Sequence, residues 1–487
     1  MQKPNHKQAF LFAIINYVGI AIGVVSSLFI YPKNKELLGV LRYVEALAQT
    51  IYPILLFGAS QALINFNPKL NDHFKKNLFS YSVFSILGMS TVMLLVLIIM
   101  SFLPFLAGMK YVYFSFAIAF FLAFIELFKK QSTILQKIAI PTFFENIIPK
   151  LSLPIVFLLL LKNMISETQS LIYYGFSYGL IFLLSGFYLW SHFKPTIRFS
   201  HENLFKIIKK SDYYKFSLFA FAGSLGSVFA FRIDALMIPK LIGMTANGTF
   251  SIGVTLASAL AIPATGLFVL YAPIIANHIK NNDFIALNKD YKSTAKFLFF
   301  IGALLYSCIL LGIENLFLLL PTHQNLIEAV PIILILGGNV LINMGTGFNG
   351  EIITYSRFYN FNLKAISVLI VLNVTLNLFF IKILNQGIVG VASASLISMV
   401  VFNVAKLTFI YQKMKLFPFD FSYLKLVLVF ILIFLVVYFL PEIQNTFWNL
   451  IFKCGLSLVL NLTIIYKLKL VYQFHFHINR LIDKYLK

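Results

Sequence analysis

The sequence predicts an all-α polytopic membrane protein. Of the 487 residues, 60% are hydrophobic and only 11% are charged, and a soluble domain of this size needs a larger polar surface than that. Apolar runs of about 20 residues, long enough for a helix to cross a bilayer, recur along the whole chain. The alternating polar and apolar positions that are typical of a transmembrane β-barrel are absent.

The apolar runs give about fourteen membrane-spanning helices. No small-residue cleavage site closes the first run, so we interpret it as a retained helix and not as a signal peptide. An even number of spans places both chain ends on the same side of the membrane. The predicted helices are 8–30, 37–64, 78–106, 111–130, 142–161, 169–191, 214–239, 246–275, 294–320, 327–355, 361–384, 387–411, 421–440 and 446–466.

The positive charges indicate which side the ends are on. With the N-terminus in the cytoplasm, about 28 of the 39 Lys and Arg residues fall in inside segments and about eight fall outside. Loop lysines therefore explain the formal net charge of +22 without a nucleic-acid partner. We expect a multi-pass protein of the cytoplasmic membrane with both termini cytoplasmic.

The longest loop divides the first twelve helices into two sets of six. It is basic and no predicted loop exceeds about 25 residues, which leaves no room for a large extramembrane domain. The predicted organisation is an N-lobe (1–191), a basic cytoplasmic linker (192–213), a C-lobe (214–415), two further helices (416–466) and a basic cytoplasmic tail (467–487).

A weak internal echo supports two similar lobes. The second helix begins at Gly39 and carries Pro53 fourteen residues later, whereas the eighth begins at Gly248 and carries Pro263 fifteen residues later. Two six-helix units insert into the membrane the same way up. This parallel-repeat plan is typical of transporters whose site lies between the halves.

Neither a P-loop nor an HExxH metal-binding motif occurs in the sequence. Cys308 and Cys454 are isolated within apolar runs, and His475 and His477 lie in the interfacial tail. We therefore expect no cofactor, no metal and no enzyme activity. A membrane polysaccharide polymerase or ligase stays as an alternative, but such an enzyme is expected to expose a large outer loop.

Ionisable residues inside the predicted helices are the candidates for function, because each is costly in hydrocarbon unless paired or hydrated. Lys150 lies between Pro149 and Pro154 in the fifth helix. Prolines remove backbone donors, and broken helices often line transport sites. Lys150 either lines such a site or extends its ammonium group to the cytoplasmic interface.

Two further pairs lie in the second and seventh helices. Arg42 and Glu45 are three residues apart and share a helix face, so they either line the lumen or simply neutralise each other. Arg232 and Asp234 are two residues apart and point to different sides of their helix. We predict Lys150, Arg232, Arg42 and Glu45 as candidates for substrate binding and Asp234 as a candidate for ion coupling.

One more intramembrane carboxylate has basic neighbours. Glu126 precedes Lys129 and Lys130 by one helical turn, a spacing that brings side chains together. We predict an interfacial ion pair here and no transport role.

Three segments resemble bacterial polysaccharide-export flippases. Residues 234–252 resemble the signature across the seventh and eighth helices of that family, residues 56–68 resemble the end of its second helix, and residues 373–394 resemble its Asn- and Gly-containing pattern across helices eleven and twelve. Asn65 stands where the family often has Arg, and Phe250 stands where it often has Tyr. The first departure weakens any substrate contact assigned to that position by analogy.

The resemblance implies a fold, a substrate and partners. The fold is that of the multidrug/oligosaccharidyl-lipid/polysaccharide exporter superfamily, with two MATE-like six-helix lobes around a central cavity. The substrate is an undecaprenyl-diphosphate-linked oligosaccharide, moved to the outer leaflet of the bacterial inner membrane for polysaccharide such as the O-antigen of lipopolysaccharide. Membrane lipid and glycan polymerase machinery are the implied partners. A lipid II flippase or a multidrug exporter of the same superfamily is the alternative.

Overall fold

The computed structural model describes residues 6–102, 110–195 and 202–485, and these ranges form twenty α-helices and no strand. In chain order the helices are α1 His6–Phe29, α2 Lys35–Leu56, α3 Ala59–Phe66, α4 Asp72–Ser101, α5 Lys110–Ile134, α6 Ala139–Leu161, α7 Glu167–Phe193, α8 Glu202–Ile207, α9 Lys210–Leu241, α10 Met244–Ser258, α11 Ile262–Lys280, α12 Phe284–Leu318, α13 His323–Leu326, α14 Val330–Gly345, α15 Asn349–Tyr355, α16 Asn360–Leu378, α17 Gly387–Met414, α18 Phe421–Tyr438, α19 Thr446–Lys467 and α20 Tyr472–Tyr485.

The predicted fold class, an all-α polytopic membrane protein, is confirmed. Within the described ranges, twelve helices are long and apolar enough to cross a membrane, and the bent pair α2–α3 makes a thirteenth if it counts as one span. The segment Tyr17–Phe29 of α1 is apolar but shorter. Each of the fourteen predicted spans therefore coincides with an apolar helix or helix pair.

Polar side chains in the loops fix where several helices begin. Asn34 accepts a hydrogen bond from the Leu37 amide at 2.9 Å at the start of α2. Ser166 and Gln169 form a reciprocal capping box at the start of α7, with distances of 2.8 and 3.3 Å. Each such cap satisfies an otherwise unpaired amide and stabilises its helix by about 1 kcal/mol.

The predicted second helix, 37–64, is broken near its end. Phe57 and Gly58 both adopt left-handed backbone conformations, with φ of 41° and 76°, and the two parts bend by 49°. A Cβ atom on Gly58 would lie 2.1 Å from the Ser217 carbonyl oxygen on α9. Glycine is thus required here both by its φ angle and by the close approach of a neighbouring backbone.

Two other predicted helices are also interrupted. The segment 246–275 contains a 3-10 turn at Ala259–Ala261 between α10 and α11, and 327–355 breaks at Gly347, whose φ is 64°. Conversely, the helix predicted from 294 begins ten residues earlier, at Phe284. Hydropathy detects the apolar part of a helix, but it registers neither polar helical extensions nor single-residue breaks.

The described chain divides into two compact units. Those described residues that fall in Met1–Ser26 and Asn34–Gly248 form the first, and those in Ser27–Lys33 and Thr249–Lys487 form the second. Helix α9, which follows the predicted linker, belongs to the first unit. Within that linker, 196–201 lie outside the described residues, as do 1–5 and 486–487 at the ends of the predicted N-lobe and tail. The predicted lobe boundaries stay a prediction.

Helix α2 packs against α4, α5 and α9 in the first unit, and the glycines of the internal echo meet at its beginning. A Cβ on Gly39 would lie 1.8 Å from the Met244 carbonyl oxygen, and a Cβ on Gly248 would lie 1.8 Å from the Lys35 carbonyl oxygen. The contact is reciprocal, because each glycine faces the carbonyl group of the residue that lies four positions before the other glycine. The side-chain amide of Asn247 also donates a hydrogen bond to the Gly39 carbonyl at 2.8 Å.

In the second unit, α12 packs against α14, α18 and α19. The two helices after the predicted C-lobe are therefore attached through α12, around the buried side chains of Phe300, Leu426, Phe430 and Ile465. Helix α20 continues this packing, since Phe474 joins the same cluster.

Candidate functional site

One face of α2 carries an ion pair within the membrane-spanning part of the first unit. Arg42 Nη1 lies 2.7 Å from Glu45 Oε2, and Gln49 Nε2 donates to Glu45 Oε1 at 3.2 Å. Spacings of three and four residues place these side chains on one helix face. The Glu45 side chain is 13% exposed and that of Arg42 is 26% exposed, so the ion pair is mostly buried within the protein.

Two buried tyrosines of α7 face the same carboxylate. Both tyrosines lie within electrostatic range of Glu45, and the Tyr174 hydroxyl lies 3.2 Å from the Tyr178 hydroxyl. Tyr174 and Tyr178 are 1% and 5% exposed. Both oxygens of Glu45 are thus hydrogen-bonded from α2, and the buried tyrosines of α7 lie close to it.

Two more cations of the first unit act on this ion pair. Lys150 on α6 interacts electrostatically with Arg42 and Glu45, and Arg232 on α9 interacts electrostatically with Glu45. Of the four residues predicted as substrate-binding candidates, Arg42 and Glu45 are in contact, and Lys150 and Arg232 lie within electrostatic range of that pair. Three cations and one carboxylate give the cluster a net charge of +2 (3 − 1). We call Arg42, Glu45, Lys150 and Arg232 the cationic cluster.

The position of Lys150 is set by α6 and α1. Helix α6 runs unbroken through Pro149 and Pro154, so the prolines do not separate it into two helices. The Lys150 side chain is half-buried and lies against Gly19 of α1, where an added Cβ would be 2.8 Å from Nζ. The absence of a side chain at Gly19 leaves room for the ammonium group.

The residue predicted for ion coupling lies on a different side of α9. Asp234 is half-buried, whereas Arg232 is exposed, in agreement with their different directions from the helix. Ion coupling by Asp234 stays a prediction.

A second charged group of the first unit joins α5 to α6. Lys129 Nζ lies 2.7 Å from Glu126 Oε2 and 2.9 Å from Glu145 Oε2, and Lys130 lies 3.2 Å from Glu126 Oε1. The predicted pairing of Glu126 with both lysines is confirmed. The sequence did not indicate Glu145 as a partner, because α5 and α6 are separate helices.

Tyr52 lies near both charged groups of the first unit. It follows Arg42, Glu45 and Gln49 on α2 at helical spacing and lies within electrostatic range of Glu126, Lys129, Glu145 and Arg232. Polar groups thus continue along α2 from the cationic cluster toward the α5–α6 ion pairs.

Uncharged polar side chains form buried clusters in the second unit that sequence reasoning missed. Asn403 Oδ1 accepts hydrogen bonds from Thr346 Oγ1 at 3.1 Å and from Asn349 Nδ2 at 2.9 Å. Asn377 donates to Asn373 at 2.6 Å, and Asn373 donates to Ser395 at 3.3 Å. The sequence feature that could have indicated these clusters is the presence of asparagines within apolar runs, because an unpaired side-chain amide is costly there.

Outside the predicted spans, Asp420 anchors the start of α18. It accepts hydrogen bonds from the Tyr423 amide and the Ser422 hydroxyl, both at 2.7 Å, and Lys296 Nζ lies 3.0 Å from its other oxygen. Burial by itself raises the pKa of Asp420, but these hydrogen bonds and the Lys296 charge outweigh it and lower the pKa below its usual value. Asp420 therefore has a structural role.

Among the described residues, no three His, Cys, Asp or Glu side chains are grouped as a metal site requires. The two cysteines are nearer than their sequence positions indicated. Cys454 Sγ lies 3.6 Å from the Cys308 carbonyl oxygen, and both thiols are free.

No protein-family model and no curated protein matches the chain. Several solved structures are similar in fold. The lipid II flippase MurJ in an inward closed conformation has 15% identity and a TM-score of 0.69, and the similarity covers 94% of this chain and 99% of that one.

An inward-facing multidrug resistance MATE family transporter of the MOP superfamily has 14% identity, a TM-score of 0.60 and coverage of 84% and 94%. A MOP superfamily transporter from Pyrococcus furiosus has 11% identity, a TM-score of 0.56 and coverage of 84% and 96%. The chain therefore has the fold shared by MurJ and the MATE transporters of the MOP superfamily.

Proposed function

We propose that the protein is a flippase that moves an undecaprenyl-diphosphate-linked oligosaccharide from the inner to the outer leaflet of the bacterial cytoplasmic membrane by alternating access. Both termini would be cytoplasmic, as the distribution of Lys and Arg indicates. The proposal rests on the fold, on the family resemblance of three sequence segments and, above all, on the cationic cluster.

The cationic cluster is the observation that carries this proposal. A charged side chain costs up to about 2.5–3.5 kcal/mol in the hydrocarbon of a bilayer even on the most lenient scale, so three cations on membrane-spanning helices near one ion pair require a reason. A diphosphate diester carries one negative charge on each phosphate, which balances the net +2 of the cluster. Arginine and lysine donate short, strong hydrogen bonds to phosphate oxygens and can replace the water that the headgroup loses.

Transport fits these features better than catalysis does. The sequence contains neither a P-loop nor an HExxH motif. Its one GxSxG match, 175–179, lies inside helix α7 and not at the strand-to-helix turn that exposes a catalytic serine. The polar residues of the first unit lie along transmembrane helices. A headgroup of sugars and phosphates cannot cross hydrocarbon unaided, because each unpaired polar group costs kcal/mol. A polar path inside a helical bundle removes this cost while the polyprenyl chain stays in lipid.

A lipid II flippase is the second candidate, because the similarity to MurJ covers 94% of the chain whereas that to the MATE transporter covers 84%. The cationic cluster would suit both substrates, since lipid II is also a polyprenyl diphosphate. It argues against an exporter of cationic drugs, which a net charge of +2 would repel.

Complementation distinguishes these candidates. We expect the gene to restore surface glycan in a strain that lacks its polysaccharide flippase and not to restore growth in a strain depleted of its lipid II flippase. Lys150→Ala and Arg232→Ala should block glycan export while the protein level stays normal. Lys215→Ala, which removes an exposed cation from the same helix as Arg232, is the matched control and should behave as wild type.

The opposite growth result would assign lipid II as the substrate. Normal glycan export by both cluster variants would overturn the role given to the cationic cluster.

A further inference from the structure

Glu45 has no evident use in a site for an anionic substrate. A carboxylate among three cations lowers their attraction for a diphosphate, and yet Glu45 is the best-held member of the cluster. Arg42 binds one of its oxygens at 2.7 Å and Gln49 binds the other at 3.2 Å.

The substrate-free protein explains why a carboxylate is needed. Lys150 lies within electrostatic range of Arg42, so the two cations repel each other, and in a medium of low dielectric constant this repulsion is far stronger than in water. A buried cation without a partner is strongly destabilising. Glu45 neutralises part of this charge while no substrate is bound.

The same contact creates competition when the substrate arrives. The guanidinium group of Arg42 can bind two oxygens side by side, and Glu45 already uses one of its nitrogens at 2.7 Å. A phosphate that approaches Arg42 must share that group with Glu45 or displace it.

We propose that Glu45 is an internal counter-ion that holds Arg42 in the substrate-free protein and gives it up to the diphosphate of the substrate. This inference rests on the proposed function and specifies how the same site binds and releases its substrate. The displaced carboxylate keeps the hydrogen bond of Gln49, so it is not left without a partner.

Reversible displacement also assists release. A site with a net charge of +3 would bind a diphosphate so tightly that dissociation would limit turnover. The return of Glu45 to Arg42 replaces the contacts that the leaving headgroup breaks. Glu45 therefore lowers affinity and raises the rate of release.

Opposite effects of the two partners test this inference. An ion pair with only a structural role weakens binding whichever partner is neutralised. A competing counter-ion gives opposite signs: Glu45→Gln should bind the diphosphate more tightly and Arg42→Gln more weakly, each on the order of tenfold, as expected for a hydrogen bond to a charged group.

The experiment uses the full-length protein in lipid nanodiscs and farnesyl diphosphate as the probe, with binding measured by isothermal titration calorimetry. Glu36→Gln is the matched control, because Glu36 is an exposed carboxylate on the same helix, and its affinity should equal that of wild type. In a translocation assay, Glu45→Gln should lower both KM and kcat, because tighter binding slows release.

Each result has a distinct meaning. If wild type binds the probe and both Glu45→Gln and Arg42→Gln bind it more weakly, the counter-ion inference is overturned and the proposed function stands. If wild type does not bind the probe, the proposed function itself fails. If Glu45→Gln does not fold, Glu45→Asp decides, because its shorter side chain loosens the hold on Arg42 and should tighten binding; weaker binding would overturn the inference.

Discussion

The reciprocal contact between Gly39 and Gly248 predicts an unusual pattern of alanine effects. An alanine at either position would place its Cβ 1.8 Å from a backbone carbonyl oxygen, whereas real Cβ contacts are essentially never shorter than 3.0 Å. The backbones of α2 and α10 must then separate locally by at least 1.2 Å (3.0 − 1.8). Overpacking of this kind costs about 1–3 kcal/mol, and the rigid carbonyl acceptors favour the upper part of that range.

The two substitutions should also be non-additive. One alanine already separates the two backbones, so the second Cβ enters a space that the first has partly opened. For residues in contact, double-mutant cycles commonly give coupling energies of about 0.5–3 kcal/mol. We expect Gly39→Ala and Gly248→Ala to lower the melting temperature by similar amounts and the double variant to lower it by less than their sum.

Thermal unfolding of the purified protein in detergent measures this pattern. Gly88→Ala and Gly455→Ala are the matched controls, because no atom lies within 4 Å of a Cβ at either glycine. Both lie inside helices, where alanine is favoured over glycine by about 0.5–1 kcal/mol, so the controls should be neutral or slightly more stable. Wild-type melting of Gly39→Ala, or strictly additive losses, would refute the close reciprocal packing.

Three further predictions concern other polar groups. Asp420→Asn should lower stability at neutral pH and remove a loss of stability in acid. The folded pKa of Asp420 lies below its unfolded value of about 3.9, so the stabilisation is complete above that value and is lost as the pH falls through the folded pKa. Melting temperatures measured against pH would show this difference. Asn403→Leu should cost about 1 kcal/mol, the net value of a typical hydrogen bond, since Thr346 and Asn349 lose one acceptor but keep the Asn343 carbonyl and Thr346 Oγ1; unchanged melting would contradict the assigned hydrogen bonds. Asp234→Asn should abolish any dependence of transport on an ion gradient while substrate binding persists, and unchanged gradient dependence in vesicles would remove Asp234 from that role.

Much of the architecture could be predicted from composition, because a membrane helix must be both apolar and about 20 residues long. The breaks could not, since Gly58 and Gly347 act through backbone angles and through neighbours that are distant in sequence. Pairings within one helix, such as Arg42 with Glu45 and Glu126 with Lys129, follow from helical spacing.

Contacts between different helices could not be predicted from the sequence. Lys150 and Arg232 were chosen separately as costly intramembrane charges. Only the positions of α6 and α9 in the first unit show that both residues act on one ion pair. Asn403 was missed because asparagine carries no charge, and Asn373 was noted only within the family-like pattern 373–394, although a buried amide also requires partners.

Translocation in a defined membrane tests the central claim most directly. The full-length protein is reconstituted into vesicles that contain a polyprenyl-diphosphate-linked oligosaccharide, and the appearance of the glycan on the opposite leaflet is followed with a membrane-impermeant glycosidase. We predict that wild type and Lys215→Ala translocate the glycan well above the rate of protein-free vesicles and that the triple variant Arg42→Gln, Lys150→Gln, Arg232→Gln does not. Equal rates for wild type and the triple variant, or a wild-type rate no higher than that of protein-free vesicles, would contradict this account.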